Sequence, residues 1–271
     1  MHVNKSTLGA ITALALVPAT AFAATIQGGP GNERLRGTNA ADLIDGNAGN
    51  DRITGRGGDD KLTGGEGNDR VWGGNGSDTI SGVQGNDRLH GGGGNDSISG
   101  DGNGVGDLTS FDKLYGEGGD DNLKGGDSRD WVYGGNGNDT SDGENGNDKL
   151  SGGNGNDTQY GGEGNDLIYA NTGVDTTYGG PGNDVLWALA RTDVAQGPGV
   201  DQVGDTLDGG AGNDKFRTRD GEVDRITCGE GNDTAILDNV DVVTDATAEN
   251  PKGSCENVER KSAKSKEKNG D

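Results

Sequence analysis

Single apolar residues recur every nine positions along most of the chain, and each is flanked by polar residues. Residues 64–72 read GGEGNDRVW and residues 73–81 read GGNGSDTIS, so the shared order is Gly-Gly-x-Gly-(Asn/Asp)-Asp-x-apolar-x. Side chains alternate between the two faces of a strand, so an inward eighth position leaves the seventh and ninth positions outward. Each repeat therefore predicts a six-residue turn followed by a three-residue strand.

The inward eighth positions form the expected core of the molecule. Two successive repeats complete one coil, so residues 18 apart should stack on the same sheet, with neighbouring strands roughly 4.8 Å apart. This predicts an all-β fold, a right-handed parallel β-roll or β-helix solenoid with two short-stranded sheets. Ser141, Gln159 and Thr177 are polar members that should pack less well. The apolar members are Ile44, Ile53, Leu62, Val71, Ile80, Leu89, Ile98, Leu114, Leu123, Val132, Leu150, Ile168 and Leu186.

An acidic residue occupies the sixth position of nearly every repeat. The nine-residue spacing breaks between Asp96 and Asp112 and between Asp184 and Asp205, which predicts inserted loops near 100–111 and at 188–204. The sixth position of the remaining repeats is occupied by Glu33, Asp175, Asp205 and Asp224. The candidate site carboxylates are Asp42, Asp51, Asp60, Asp69, Asp78, Asp87, Asp96, Asp112, Asp121, Asp130, Asp139, Asp148, Asp157, Asp166, Asp184, Asp214 and Asp233.

Composition and charge narrow the classes of protein that this pattern can belong to. The 271 residues include 57 glycines, only 27% are hydrophobic, and the formal net charge is −23. That is too little apolar side chain for a conventional core, and such a charge repels nucleic acid, anionic membranes and the compact chain itself. The chain is therefore either disordered or neutralised by bound cations, and its regular phase favours the second state.

The nine-residue pattern resembles the repeats of the RTX family, the hemolysin-type calcium-binding repeat proteins, over about residues 28–238. The resemblance implies several Ca²⁺ ions in the turns. Calcium prefers 6–8 oxygen ligands, which stacked aspartates and backbone carbonyls would supply, and two carboxylates neutralise one ion. Without calcium the chain should be largely disordered. Ice binding, known in some calcium rolls, is not expected, because position 3 carries Glu66, Asn75 and Gln84 instead of a threonine row.

The turn residues fit the same interpretation. Glycine at positions 1, 2 and 4 permits a tight turn that brings carbonyl oxygens inward. Asparagine at position 5 is expected to tolerate a left-handed backbone. The turn residues singled out are Gly64, Gly67, Asn68, Gly73, Gly76, Gly152, Gly155, Asn156, Gly161, Gly164 and Asn165.

The N-terminal residues predict export. Lys5 precedes an apolar run over 8–23 that ends in Ala21-Phe22-Ala23, the pattern of a cleaved secretory signal. The run is shorter than the roughly 20 residues that a membrane helix needs. Residues 1–23 are therefore interpreted as a signal peptide, and the protein is expected to be secreted and extracellular.

The C-terminal part differs in kind from the repeats. The predicted organisation is a main roll over 24–187, final repeats over 205–238, a cap over 239–260 and a disordered basic tail over 261–271. Cys228 and Cys255 are the two cysteines, and in an exported protein such a pair is most simply a disulfide. We expect this bond to pin the cap on the open end of the roll.

The function expected from the sequence is Ca²⁺ binding, with a structural or extracellular matrix role. An alternative is a calcium-dependent adhesin or glycan-binding module that uses an outward stripe of Tyr115, Tyr133, Tyr169 and Trp187, which can equally be a ladder that stabilises the sheet. The expected partners are calcium ions and a cell-surface glycan or matrix protein, without nucleic acid or stable membrane insertion. No enzymatic activity is expected, since no HExxH motif is present.

Overall fold

The computed structural model describes residues 24–102, 110–189, 204–247, 250 and 252–262. The predicted signal peptide, most of the two predicted inserted loops and most of the basic tail lie outside these residues. All 24 named elements within them are β-strands. In the same described residues, no helix is long and apolar enough to cross a membrane.

The strands form two parallel 12-stranded sheets, which alternate along the chain. The odd sheet contains β1 (Thr25–Gln27), β3 (Leu43–Asp45), β5 (Lys61–Glu66), β7 (Thr79–Gln84), β9 (Ser97–Asp101), β11 (Asn122–Asp127), β13 (Thr140–Asn145), β15 (Thr158–Tyr160), β17 (Thr176–Pro181), β19 (Thr206–Ala211), β21 (Arg225–Thr227) and β23 (Val242–Val243). The even sheet contains β2 (Arg34–Arg36), β4 (Arg52–Gly57), β6 (Arg70–Asn75), β8 (Arg88–Gly93), β10 (Lys113–Gly118), β12 (Trp131–Asn136), β14 (Lys149–Asn154), β16 (Leu167–Thr172), β18 (Val185–Leu189), β20 (Lys215–Thr218), β22 (Thr234–Leu237) and β24 (Asn257–Arg260).

The register of the sheets follows the nine-residue repeat. Ile53 pairs with Val71, 18 residues later, and the same offset holds in the regular repeats of both sheets. In the pairings of β21–β24 the offset varies from 17 to 23 residues. At the two phase breaks the pairing continues across the extra residues: Leu89 pairs with Leu114 and Thr177 with Leu207. The predicted parallel β-solenoid of two sheets is confirmed, and neither insertion interrupts the stack. The predicted strand length of three residues is too short, because in β4 and many other strands the first three residues of the next repeat continue the strand to six residues.

The eighth-position residues fill the space between the two sheets, as predicted. All of the apolar members are at most 1% exposed. Ser141, Gln159 and Thr177 are just as buried. Gln159 Nε2 donates to the carbonyl oxygen of Tyr169 at 3.1 Å and Thr177 Oγ1 lies 3.3 Å from Gln159 Oε1, whereas Ser141 Oγ has no partner among the described residues. These hydrogen bonds offset part of the cost of burying polar side chains in the core.

The C-terminal residues continue the solenoid. Strands β23 and β24 add the last rung to the odd and the even sheet respectively. Cys228 and Cys255 form a disulfide with Cα atoms 5.2 Å apart, and both residues are buried with Leu207, Phe216 and Ile226 in a second core cluster. The predicted disulfide is confirmed. The boundaries of the predicted cap and of the other segments stay predictions.

Candidate metal centre

The sixth-position aspartates are joined by hydrogen bonds into two continuous rows. The backbone N–H of Asp51 donates to Oδ1 of Asp69 at 2.7 Å, and the N–H of Asp69 donates to Oδ1 of Asp87 at 2.7 Å. One row runs from Glu33 through Asp51, Asp69, Asp87, Asp112, Asp130, Asp148, Asp166, Asp184, Asp214 and Asp233. The other runs from Ala24 through Asp42, Asp60, Asp78, Asp96, Asp121, Asp139, Asp157, Asp175, Asp205 and Asp224.

The second oxygen of most of these carboxylates is buried without a partner. Oδ2 of 17 row members makes no hydrogen bond within the described residues, and each of those side chains is at most 3% exposed. A buried acceptor without a donor costs free energy, and a buried charge costs more. The atoms belong to Asp51, Asp60, Asp69, Asp78, Asp87, Asp96, Asp112, Asp121, Asp130, Asp139, Asp148, Asp157, Asp166, Asp184, Asp214, Asp224 and Asp233.

In most repeats the first residue is a glycine that lies directly against that second oxygen. A methyl group added to Gly64 would contact Asp69 Oδ2 and would lie 2.8 Å from the carbonyl oxygen of Gly82, in the next coil. A carboxylate oxygen of one coil and a carbonyl oxygen of the next coil therefore approach the Gly64 backbone so closely that a side chain there would displace them. The candidate glycines Gly64, Gly73, Gly152 and Gly161 all have such a pair of oxygens close by.

Burial and neighbouring charges raise the pKa values of these carboxyls. The pKa of Asp69 rises to about 6 and that of Asp87 to about 8, in both cases mainly because burial disfavours the charged form and secondarily because of like charges in the row. The pKa of Asp112 rises to about 9 for the same two reasons. The rows therefore favour a state in which positive charge, from protons or cations, neutralises the carboxylates.

These residues fit calcium better than a metal held by side chains alone. Among the described residues no three His, Cys, Asp or Glu side chains gather around one point. A hard cation that binds backbone carbonyl oxygens together with carboxylates would fit these residues, and calcium binds through such oxygens. The aspartate rows and the first-position carbonyls would hold the ion, whose charge would cancel the repulsion along each row.

Two groups of residues in the rows were left out of the sequence-based set. Asp175, Asp205 and Asp224 occupy the same positions as the candidate ligands, and their nine-residue phase was the signal that could have included them. Asp241 and Glu256 close the two rows by accepting the N–H groups of Asp224 and Asp233. They lie outside the repeat phase, so no spacing rule predicts them.

The expected left-handed role of the fifth-position asparagines is wrong. Residues with positive φ lie instead at positions 2 and 4, including Gly65, Gly67, Gly76, Gly155 and Gly164. The asparagines join neighbouring coils: the N–H of Asn68 donates to Oδ1 of Asn50 at 2.6 Å, and the amides of Asn156 and Asn165 follow the same rule. Their short side chains thus satisfy the backbone of the following coil.

The outward stripe of the even sheet is longer than the sequence analysis predicted. Trp72 and His90 extend it, so that Trp72, His90, Tyr115 and Tyr133 stack face to face with centroids 4.6–5.5 Å apart. After a gap at Ser151, Tyr169 stacks on Trp187 at 5.9 Å. The stacked rings stabilise the sheet, and His90 and Tyr115 each have a neighbouring ring on both faces.

The fold and the two carboxylate rows define the class of parallel β-solenoids whose turns are built to hold cations. The sequence matches the family described as RTX calcium-binding nonapeptide repeat over residues 27–62, 46–80, 54–88, 72–103, 115–150, 151–186 and 204–235. These matches cover more than half of the chain, so the protein belongs to this calcium-binding repeat family.

Two further comparisons complete the result. No curated protein sequence matches the chain. Among solved structures, a hyperactive, Ca²⁺-dependent, β-helical antifreeze protein from an Antarctic bacterium is similar with 21% identity and a TM-score of 0.44. The similarity covers 76% of this chain and 71% of that protein.

Proposed function

We propose that the protein binds many Ca²⁺ ions in the turns of its solenoid and acts as a calcium-stabilised structural element outside the cytoplasm, without enzymatic activity. The observation that carries the proposal is the set of 17 buried Oδ2 atoms without hydrogen-bond partners. Buried carboxylates in rows at one-rung spacing repel one another strongly. Calcium between consecutive coils turns that repulsion into attraction, so folding and calcium binding are coupled.

An extracellular role is supported by two features together. The N-terminal sequence has the form of a secretory signal. The disulfide between Cys228 and Cys255 is typical of proteins in oxidising compartments. Calcium modules that work outside cells bind at about 10⁻⁴–10⁻³ M, a range in which many stacked sites respond steeply.

The test is a Ca²⁺ titration of the full chain followed by far-UV circular dichroism, with Mg²⁺ as the control ion and a chelator to reverse the change. A cooperative gain of β signal with Ca²⁺ alone is expected. The Gly64→Ala variant should need more calcium, because its methyl group would displace Asp69 Oδ2 and the Gly82 carbonyl oxygen from their positions.

Gly57→Ala is the matched control for this variant. A methyl group at Gly57 meets its nearest neighbour, the carbonyl oxygen of Asn75, at an ordinary contact distance of 3.6 Å. Its calcium midpoint should equal that of the unmodified chain. No β signal up to about 10 mM Ca²⁺, well beyond the extracellular range, would refute calcium binding, and equal midpoints for the two variants would refute the site.

A second candidate function is a calcium-dependent adhesin or glycan-binding module. The observation that favours it is the regular outward face of the even sheet, where Tyr115, Tyr133, Tyr169 and Trp187 are arranged in line. Because neighbouring rings stack face to face, fewer ring faces are left for sugar stacking. Loss of binding on a glycan array with Tyr133→Ser and Tyr169→Ser would support this candidate, and unchanged binding would refute it.

A further inference from the structure

A row of cationic side chains runs along the even sheet beside the aromatic stripe. We call it the cationic ladder, and its members are Arg34, Arg52, Arg70, Arg88, Lys113 and Lys149. They occupy the outward seventh positions of β2, β4, β6, β8, β10 and β14, and they are direct neighbours in the sheet except where Trp131 of β12 stands between Lys113 and Lys149. The ladder therefore has six cations over seven neighbouring strands of the even sheet, and β12 carries none.

No ladder member forms an ion pair with a carboxylate of the described residues, although the chain has 46 acidic residues against 23 Lys and Arg. The ion pairs among the described residues are His90–Glu117, Lys124–Glu144 and Lys261–Glu259, and none of them includes a ladder member. Like charges directly opposite each other in a sheet are destabilising. Cation–π contacts such as Arg52 with Trp72 at 4.6 Å offset only part of this cost.

Among the described residues, a continuous row of cations is found on this face, whereas Lys61 and Arg225 are isolated at the seventh positions of the odd sheet. The corresponding seventh positions of the odd sheet are largely small hydroxyl residues, including Thr79, Thr140, Thr158 and Thr176. The sixth-position aspartates are buried in the turns, where bound cations would cancel their charge. A loaded roll would thus present a linear cationic surface despite its acidic composition.

An open groove of about 540 Å³ lies beside the first part of the ladder. It is lined by Arg34, Arg52 and Arg70 on one side and by the asparagine row Asn32, Asn50 and Asn68 on the other, with Glu33 and Asp51 between them. Guanidinium groups bind carboxylates in a two-pronged geometry, and asparagine side chains offer hydrogen bonds suited to hydroxyl groups. The groove is therefore suited to a chain that carries both groups in every unit.

We propose that the cationic ladder binds a linear acidic polysaccharide, with the carboxylates of successive uronic acid units on successive rungs. Neighbouring strands are roughly 4.8 Å apart, which is close to the length of one sugar unit. The inference goes beyond calcium binding and rests on it in one respect, because the ladder exists only in the folded roll.

Two other polyanionic surfaces fit the face less well. Single-stranded nucleic acid is held by bases stacked on open aromatic faces, whereas His90 and Tyr115 beside this ladder each have a neighbouring ring on both faces. An anionic membrane is held through apolar side chains that enter it. The exposed large hydrophobic residues of the described chain, namely Leu43, Tyr160, Tyr178, Val240 and Val242, do not lie on the even sheet.

The experiment measures binding of the calcium-loaded full chain to a short oligogalacturonide by surface plasmon resonance. The same oligomer with its carboxylates methyl-esterified is the neutral control. The triple variant R52S/R70S/R88S removes three adjacent rungs. The matched variant K61S/K124S/R225S removes three cations from the outward face of the odd sheet, with the same change in net charge.

We expect the unmodified chain and the odd-sheet variant to bind the acid oligomer and not the ester. The ladder variant should bind about tenfold more weakly. Equal affinity of the two variants would overturn the proposal, as would binding of a single-stranded oligonucleotide or of phosphatidylserine vesicles as tight as that of the uronide. Far-UV circular dichroism of each sample separates the two proposals: a chain without a calcium-induced β signal refutes calcium-coupled folding, whereas a folded chain that does not bind the uronide refutes this inference alone.

Discussion

The backbone N–H of Asp175 donates to Oδ1 of Asp205 at 2.9 Å, although 30 residues separate them in the sequence. This is the same contact that links aspartates 18 residues apart elsewhere in the row. The row therefore passes the second phase break without a missing member, and the extra residues are not needed for its continuity.

Replacement of residues 189–204 by Gly-Asn-Gly-Asn should preserve calcium-induced folding. The replacement shortens the spacing from Asp184 to Asp205 from 21 to nine residues, which restores the regular repeat. The calcium midpoint in circular dichroism should match that of the unmodified chain. Replacement by Gly-Asn-Gly is the control, because a one-residue slip turns each following side chain to the wrong face of its strand. If the two variants have the same calcium midpoint, the continuity of the row does not contribute to the stability of the folded roll.

Acidification should fold the calcium-free chain. The pKa values of Asp69, Asp87 and Asp112 in the roll, about 6, 8 and 9, lie above the ordinary value of 3.8, so the ion-free roll holds more protons than the unfolded chain between about pH 4 and 9. The free energy of unfolding of the ion-free roll therefore rises as the pH falls through this window, and this added stability is lost as the pH rises. In chelator, β signal should be weak at pH 8 and should increase toward pH 5.

Circular dichroism during a pH titration in chelator measures this effect, with analytical ultracentrifugation to show that the chain stays monomeric. The pH at which the signal appears reports the combined titration of each row, not of one residue. A monomeric chain without β signal at pH 5 would show that desolvation of the carboxylates is not the main barrier to folding of the ion-free roll.

Val83→Gly should stabilise the loaded roll. Val83 is the second residue of its repeat and lies in β7 with φ of 93°. This backbone conformation costs a residue with a Cβ about 1–2 kcal/mol. Glycine removes that strain and loses about 0.5–1 kcal/mol of chain entropy, so a gain of up to about 1.5 kcal/mol is expected in thermal unfolding at fixed calcium. Val185→Gly, in strand β18, is the control and should destabilise. A lower melting temperature for Val83→Gly would contradict the expectation.

Removal of the disulfide should loosen the C-terminal coils and leave the others unchanged. The bond closes a loop with a sequence separation of 27, worth about 3–4 kcal/mol by loop entropy. Each coil contacts only its neighbours in a solenoid, so hydrogen exchange in Cys228→Ser/Cys255→Ser should rise in β21–β24 and stay constant in β4–β9. Uniformly faster exchange would instead show that the roll unfolds as one unit.

Most of the fold could be predicted because its units are local and identical. The burial of Ile53 and the alignment of Asp69 with Asp87 both follow from the nine-residue phase once two repeats form one coil. The roles of Asp241 and Glu256 could not be predicted, since they close the rows from outside that phase.

The turn chemistry was only partly predictable for a related reason. Amino-acid preference suggested a left-handed Asn68, but its N–H is held by Asn50 of the preceding coil, and the left-handed positions fall on either side of position 3. Local propensity cannot include a contact with a residue 18 positions away. Trp72 and His90 occupy the same ninth position as the predicted stripe residues, so the spacing contained the signal that predicts their place in the stripe.

The hydrogen bonds of both carboxylate rows point the same way along the solenoid, from the N–H of one coil to the carboxylate of the next coil toward the C-terminus. Each coil is therefore completed by the coil that follows it in the chain. When a chain enters a calcium-rich space with its N-terminus first, the coil formed most recently always lacks the carboxylates that accept its N–H groups. The last N–H groups of the two rows are accepted by Asp241 and Glu256. The hydrogen bonds thus give assembly a direction from the N-terminus to the C-terminus, and they end each row at its own closing residue.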